Sequence, residues 1–357
     1  MLTPETQFVL ICSRTELTNE IISHLESIAV ENLNWRKILS LSAYHGTAPL
    51  LYQALNNLNF NQGIIPETIL INLKNLYYAN LGRTTKLWHK FCQIYDAFKK
   101  QNIELIPLKG IILGRFLYHN PALRPIYADI DILIKERDLA VATQELIKIG
   151  YTPKADKAGP TKTFINFTKD RLIVELHQIF LPFWLNRIKT ESLWERAEIQ
   201  VMDKREIKVL SIEDQVLTLS LQMRHDWPYF RLFRLCDINE LLSQYKDCLD
   251  WGYLLKAAKE YRLQATLYFS LYLCQQLLSA SLPEDIFHKF SSPFIKLKLL
   301  PLFSRKELEL LSNSDLKYGA RRKTDALFKA LLNDSLIDCL KIALHNKIFK
   351  RSRPIYS

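Results

Sequence analysis

The spacing of apolar positions changes period several times along the chain. Between residues 66 and 101, Leu73, Leu76, Tyr77, Leu81, Leu87, Phe91, Ile94 and Phe98 recur near one stripe, which predicts a long amphipathic helix with that stripe as core. Shorter helical patterns precede it over Glu20 to Val30, Trp35 to Tyr44 and Pro49 to Leu58, and Thr3-Pro4-Glu5 supplies a cap and a first-turn proline for the helix that opens the chain. His45-Gly46 reads as a helix end with a glycine C-cap. The period then shortens to two. Ile103 to Leu108 reads as a strand, Lys109-Gly110 as a turn and Ile111 to Tyr118 as a helix. In the run Tyr127 to Ile134, Ile130, Ile132 and Ile134 alternate with Asp129, Asp131 and Leu133, so a strand there carries three isoleucines on one face and both aspartates on the other. Glu136 to Ile149 is helical and Gly150 supplies a left-handed stop. Thr161 to Thr168 and Arg171 to Gln178 alternate on either side of the turn pair Lys169-Asp170, which predicts a hairpin. Its second strand sets Leu172, Val174 and Leu176 against Ile173, Glu175 and His177.

From Ser211 onward the pattern is helical again, through Val216 to His225, Tyr229 to Tyr245, Trp251 to Tyr261 and Gln264 to Leu278. Ser211-Ile212-Glu213-Asp214 resembles a capping box. Arg234 and Asp237, three apart on one helix, are expected to form a surface ion pair; His225, Arg231 and Arg234 are the alternative candidates to line a ligand cleft beside the sheet.

The chemistry concentrates on the aspartate strand. Two like charges at roughly 4 Å and an effective dielectric near 20 repel by about 4 kcal/mol, so one carboxylate takes a proton or a cation sits between them. Oxygen ligands at this spacing suit Mg²⁺, which commonly joins one or two carboxylates to substrate phosphates. Upstream, a strand, a glycine turn and a helix start present backbone N–H groups to an anion, with Lys109 adding a positive charge. Glu175 is the candidate third carboxylate. The competing reading is a half-exposed strand whose polar face happens to carry acids.

Composition narrows the setting. Of 357 residues, 48% are hydrophobic and only 9 are glycine, which favours long helices over many turns, and the net charge of +11 favours acidic partners such as nucleotides, RNA or anionic membrane surfaces. The 6 cysteines are scattered with no metal-ligand spacing and read as thiols of a reducing compartment. The apolar stretch Thr266 to Leu278 is interrupted by Gln275-Gln276 and falls short of a membrane span. A cytoplasmic protein without a transmembrane segment is expected. Arg321-Arg322-Lys323 and Lys347 to Arg353 are basic, and read as solvated helix faces or as contacts to RNA or lipid headgroups.

Leu108-Lys109-Gly110, Tyr118, Pro121, Leu123-Arg124-Pro125, Asp129-Ile130-Asp131-Ile132-Leu133 and Gly150-Tyr151 together resemble an uncharacterised bacterial nucleotidyltransferase family within the DNA polymerase β superfamily. The resemblance extends to Tyr44-His45-Gly46, Pro49-Leu50-Leu51-Tyr52 and Glu175-Leu176-His177, and more weakly to Glu213-Asp214, His225 and Arg234 to Ile238. One departure is that Gly110 is followed by Ile111, where the superfamily usually has a serine.

The resemblance implies an α+β fold, with a polymerase β-like sheet module at residues 101–210 between an N-terminal helical region, 1–100, and a C-terminal helical domain, 211–357. It implies an enzyme moving a nucleoside monophosphate from an NTP to an RNA, protein or small phosphorylated acceptor. Asp129, Asp131 and Glu175 are then expected to bind two Mg²⁺ ions, or Mn²⁺, and to carry catalysis. Lys109, Gly110, Arg124 and His177 are the expected nucleotide contacts, a helix-capping role for Arg124 being the alternative. The functional alternative is a nucleotide-binding, catalytically inactive interaction or antitoxin-like protein; the presence of all three carboxylates argues against it.

Overall fold

The computed structural model describes residues 2–29, 33–57, 64–126, 129–154, 164–178, 188–226, 231–291, and 332 and 334. Tyr127-Ala128, the start of the predicted 161–168 strand, Tyr229-Phe230, the side chain of His225 and both basic C-terminal stretches lie outside them.

Five helices come first: α1 (Pro4–Ile11), α2 (Asn19–Ala29), α3 (Trp35–His45), α4 (Ala48–Asn57) and α5 (Glu67–Lys100). Thr3 caps α1, its Oγ1 accepting from the Thr6 amide, and Gly46 ends α3 at φ 72°, as its sequence predicts. At 34 residues, α5 is about 51 Å long. Its expected stripe is largely the buried one, with Leu73, Leu87, Phe91, Ile94 and Phe98 in the core. Leu76 instead stands 38% exposed, and Trp88, Cys92 and Tyr95 are buried because the helix is covered on a second side. There Trp88 Nε1 donates to Asp203 at 2.6 Å and Arg205 forks onto Asp96 at 2.8 and 2.7 Å.

The central part holds β1 (Leu105–Leu108), α6 (Gly110–Phe116), β2 (Asp129–Ile134), α7 (Leu139–Lys148), β3 (Thr152–Pro153), β4 (Phe164–Lys169) and β5 (Leu172–His177). These strands form one mixed sheet in the order β1-β2-β5-β4-β3. Only β2 and β5 run parallel; the other pairs are antiparallel. A parallel neighbour needs a crossover, and α7, β3 and β4 supply it. Gly150, at φ 91°, closes α7 while the Tyr151 amide reaches back to the Leu146 carbonyl at 2.9 Å. The β4–β5 turn uses Asp170 and Arg171, both at positive φ, one residue later than the sequence pattern suggests.

Helix α8 (Thr190–Arg196) leads to a hairpin, β6 (Glu198–Met202) and β7 (Arg205–Val209), whose β7 lies beside β1. The sequence reading does not anticipate this hairpin. Its turn residues, Asp203 and Lys204, adopt positive φ without a glycine, and its apolar alternates Ile199 and Val201 face solvent at 60% and 73% exposure. Neither the turn nor the burial rule therefore signals it.

Helices α9 (Ile212–Asp226), α10 (Leu232–Gln244), α11 (Trp251–Glu260) and α12 (Gln264–Leu278) complete the described architecture. The fold is α+β, a mixed sheet flanked by helical regions. Ile130, Ile132 and Ile134 enter the main core together with Phe8, Phe98 and Phe269, whereas Leu133, Ile106 and Leu108 form a small separate cluster with Leu193 and Leu210 on the other face of the sheet. That second face carries the aspartates. No helix among the described residues is long and apolar enough to cross a membrane.

Candidate active site

Strand register builds the site. Asp131 pairs across the ladder with Leu108 of β1 on one side and Glu175 of β5 on the other. Paired residues put their side chains on the same face, so Asp131 and Glu175 are neighbours, with His177 two positions further along that face. Lys109 follows Leu108 directly and adopts φ 58°, which ends β1. Its ammonium lies 2.5 Å from Asp131 Oδ1. His177 Nε2 is 3.0 Å from the same oxygen and 3.4 Å from Glu175 Oε2. Ligand atoms of Asp131, Glu175 and His177 all fall within 4.8 Å of one another. Asp129, at the exposed end of β2, stands outside this compact group, though its charge acts on both Lys109 and Arg124.

The charges hold one another in place. Burial opposes the ionised form of Asp131, but Lys109 and then His177 outweigh it and hold the carboxyl well below the usual range. Burial likewise works against the Lys109 cation, and the Asp131, Glu175 and Asp129 charges overcome it and raise its pKa. The His177 pKa is lowered by burial and raised more strongly by its bonds to Asp131 and Glu175. Its ring leans on Phe164 with centroids 5.0 Å apart, and Nδ1 is buried with no hydrogen-bond partner among the described residues.

Gly110 and Arg124 are also brought together, by packing. A Cβ on Gly110 would lie 2.2 Å from Arg124 Nη1, so only glycine permits this approach. Arg124 is 5% exposed. Its Nη2 donates to Asp237 Oδ2 at 2.7 Å, Nε reaches both Asp237 oxygens at 3.2 Å, and Nη1 donates to the Pro125 carbonyl at 2.7 Å. Tyr118 donates its hydroxyl to Asp237 as well, at 3.1 Å, and Phe233 underlies the guanidinium at 4.7 Å.

This corrects the expected surface pair between Arg234 and Asp237. Asp237 is completely buried and belongs to Arg124, while the Arg234 guanidinium lies over the Phe233 ring at 5.3 Å. Sequence reasoning missed the role because the partners are 113 positions apart. The available signal was Asp237 set between Leu235-Cys236 and Ile238, since a buried carboxylate requires a partner. Arg231 is held at the end of α3, donating to the Tyr44 carbonyl at 2.7 Å. Glu213 accepts from Arg196 at 2.7 Å and from the Asp250 amide at 2.9 Å, and Asp214 accepts from Tyr253 at 3.0 Å, so this pair ties α8 and α11 to α9.

The sequence model of a family described as uncharacterised nucleotidyltransferase matches residues 31–279, a span that contains β1 through α12 and every residue of the cluster. This chain belongs to that family. It is thus an enzyme of nucleotidyl transfer, and the chemistry in question is movement of a nucleoside monophosphate. A solution structure of the antibiotic-resistance factor ANT(2'')-Ia aligns with this nucleotidyltransferase at a TM-score of 0.29 and 10% identity, covering 64% of this chain and 95% of that one. A crystal structure of an antigenic nucleotidyltransferase-like protein from Paracoccidioides brasiliensis aligns at 0.32 and 14%, covering 60% and 96%. A search among curated proteins finds no match.

Proposed function

We propose that this nucleotidyltransferase moves a nucleoside monophosphate from an NTP to a hydroxyl or phosphate acceptor in a divalent-metal-dependent reaction that releases pyrophosphate. The carrying observation is the in-register Asp131–Glu175 pair on adjacent parallel strands, with Lys109 and His177 on the same Asp131 oxygen.

The donor set suits a divalent cation. Two carboxylates and an imidazole nitrogen converge within 4.8 Å, and the oxygens favour Mg²⁺ while the nitrogen also admits Mn²⁺. Asp131, Glu175 and His177 would hold one ion, and Asp129, on the same face of β2, is placed to join Asp131 at a second. Bound there, the metal supplies charge neutralisation on the triphosphate oxygens and a lowered pKa for the acceptor.

The chain's own groups do the rest. The acceptor oxygen attacks the α-phosphorus, the bond to the β-phosphate oxygen breaks, and Glu175 takes the acceptor's proton. Before metal and substrate bind, Lys109 and His177 face Asp131 and favour its ionised form. Lys109, beside Gly110 at the end of β1, is the cation placed to receive the β and γ phosphates. Arg124 acts one step back, fixing the Gly110 turn against α10 rather than touching phosphate. The net charge of +11 favours RNA among the acceptors, and the free cysteines fit a cytoplasmic setting.

The test incubates the full chain with each α-labelled NTP, Mg²⁺ or Mn²⁺, and cellular RNA, protein or small-molecule fractions. Label is expected in one fraction, reduced about a hundredfold or more by Asp131→Asn. NTP binding without transfer into any fraction refutes the reading.

A further inference from the structure

We propose that the side of α5 carrying Arg83, Lys86 and Lys90 is the track on which an RNA acceptor lies, its phosphates on these cations, as its end enters the site. The inference rests on the nucleotidyl-transfer reading above and gives the RNA acceptor of that reading a place on the molecule.

Between Glu67 and Asp96, α5 carries Lys74, Arg83, Lys86 and Lys90 and no acid. Arg83 and Lys86 are exposed and Lys90 is half-buried. Arg83 and Lys86 precede Lys90 by seven and four positions, so the three share one side of the helix over about 10 Å of its axis. Like charges at this spacing repel, and an acid at a neighbouring position is the ordinary remedy. The exposed positions around them carry Gly82, Thr85 and His89 instead, which leaves the row to be neutralised by a partner.

Two sets of contacts fix where this row lies. Lys90 Nζ is 4.0 Å from Asp170 Oδ2, in the β4–β5 turn. Leu172 pairs with Lys169 and Ile173 with Asp129, so that turn sits at the end of the sheet where β2 begins with Asp129. Nearer the start of α5, Asn80 donates to the Ala122 carbonyl at 2.7 Å and Asn120 donates to the Tyr77 hydroxyl at 3.0 Å. Both bonds join the helix to the segment that leads into Asp129. The cations therefore run past the Asp129 end of the sheet, and Arg171, exposed in the same turn, extends them to the start of β5, the strand of Glu175. A straight row of cations fits a linear polyanion. RNA is a linear polyanion with a terminal hydroxyl or phosphate to present to the carboxylates.

Fluorescence anisotropy of the full chain with labelled single-stranded RNA oligonucleotides of two unrelated sequences, over a series of NaCl concentrations, tests this. Arg83→Gln/Lys86→Gln/Lys90→Gln is compared with a control of equal charge change at exposed positions elsewhere, Lys246→Gln/Lys256→Gln/Lys259→Gln. The α5 variant is expected to bind both RNAs about tenfold or more weakly at low salt, with the slope of log affinity against log salt reduced by about 2, while the control keeps the wild-type slope. Equal losses in variant and control, or an unchanged slope in the α5 variant, overturn the proposal. Phosphatidylserine vesicles make a further arm: loss of vesicle binding with RNA binding retained overturns it in favour of a membrane surface. Calorimetric titration of the same proteins with NTP in Mg²⁺ reports on the transfer reading separately. NTP binding without RNA binding in the wild type overturns the RNA track alone, and absence of NTP binding overturns the reading on which it rests.

Discussion

At the scale of single residues, the fate of each charged group was decided by what faces it. Asp131 and Asp237 are both buried acids, yet one faces a lysine and a histidine at the open end of the sheet and the other is sealed under an arginine. Breaking the sealed pair should be costly because it leaves an uncompensated charge. Asp237→Asn or Arg124→Met is expected to lower unfolding free energy by about 3–5 kcal/mol. The double variant Arg124→Met/Asp237→Leu should lose clearly less than the sum of the singles, as read by urea denaturation; additive losses would mean that the two side chains act independently. From sequence, the paired acids of β2 and the Glu175/His177 face were legible, because alternation is a property of the strand itself. The partner of Arg124 was not.

At the scale of elements, the β1–α6 turn is where local rules and packing meet. Gly110→Ala would force the Arg124 guanidinium off the Pro125 carbonyl, and a destabilisation of about 1–3 kcal/mol is expected. Gly82, at an exposed position of α5 with nothing within 4 Å of an added Cβ, makes the control: Gly82→Ala should stabilise by about 1 kcal/mol. Paired thermal melts check both signs. A second element-level link joins β1 to its surroundings, where Glu104 meets Lys135 and Lys208. The two lysines hold the Glu104 carboxyl down to about 2. A lowered carboxylate pKa contributes stability that is complete above the unfolded value near ~4.3 and is lost as pH falls through the folded value. The difference in stability between wild type and Glu104→Gln should therefore hold from neutral pH to that point, shrink below it, be mostly gone at about pH 2 and vanish only below that; a difference independent of pH would refute the linkage. The exposure of this cluster keeps the effect small.

At the scale of the whole molecule, one core cluster runs from Phe8 through Phe98 and Ile130 to Phe269, passing through all three regions expected from sequence. Arg124 and Tyr118 on Asp237, and Trp88 on Asp203, add long-range polar links. The described regions are expected to unfold together, with one coincident urea midpoint by far-ultraviolet circular dichroism and by tryptophan fluorescence; two separated transitions would show that the helical regions fold as independent units.

The sequence by itself determined the helices and strands with strong periodicity, the side chains that share each strand face and the caps at Thr3, Gly46 and Gly150, since these depend on neighbours a few positions away. Tertiary structure alone decided that β5 lies parallel to β2 with Glu175 opposite Asp131, that Lys109 and His177 converge on one oxygen, and that Arg124 turns to Asp237. Those contacts span 22 to 113 positions, and no local pattern encodes which of several compatible partners the closed core will bring together.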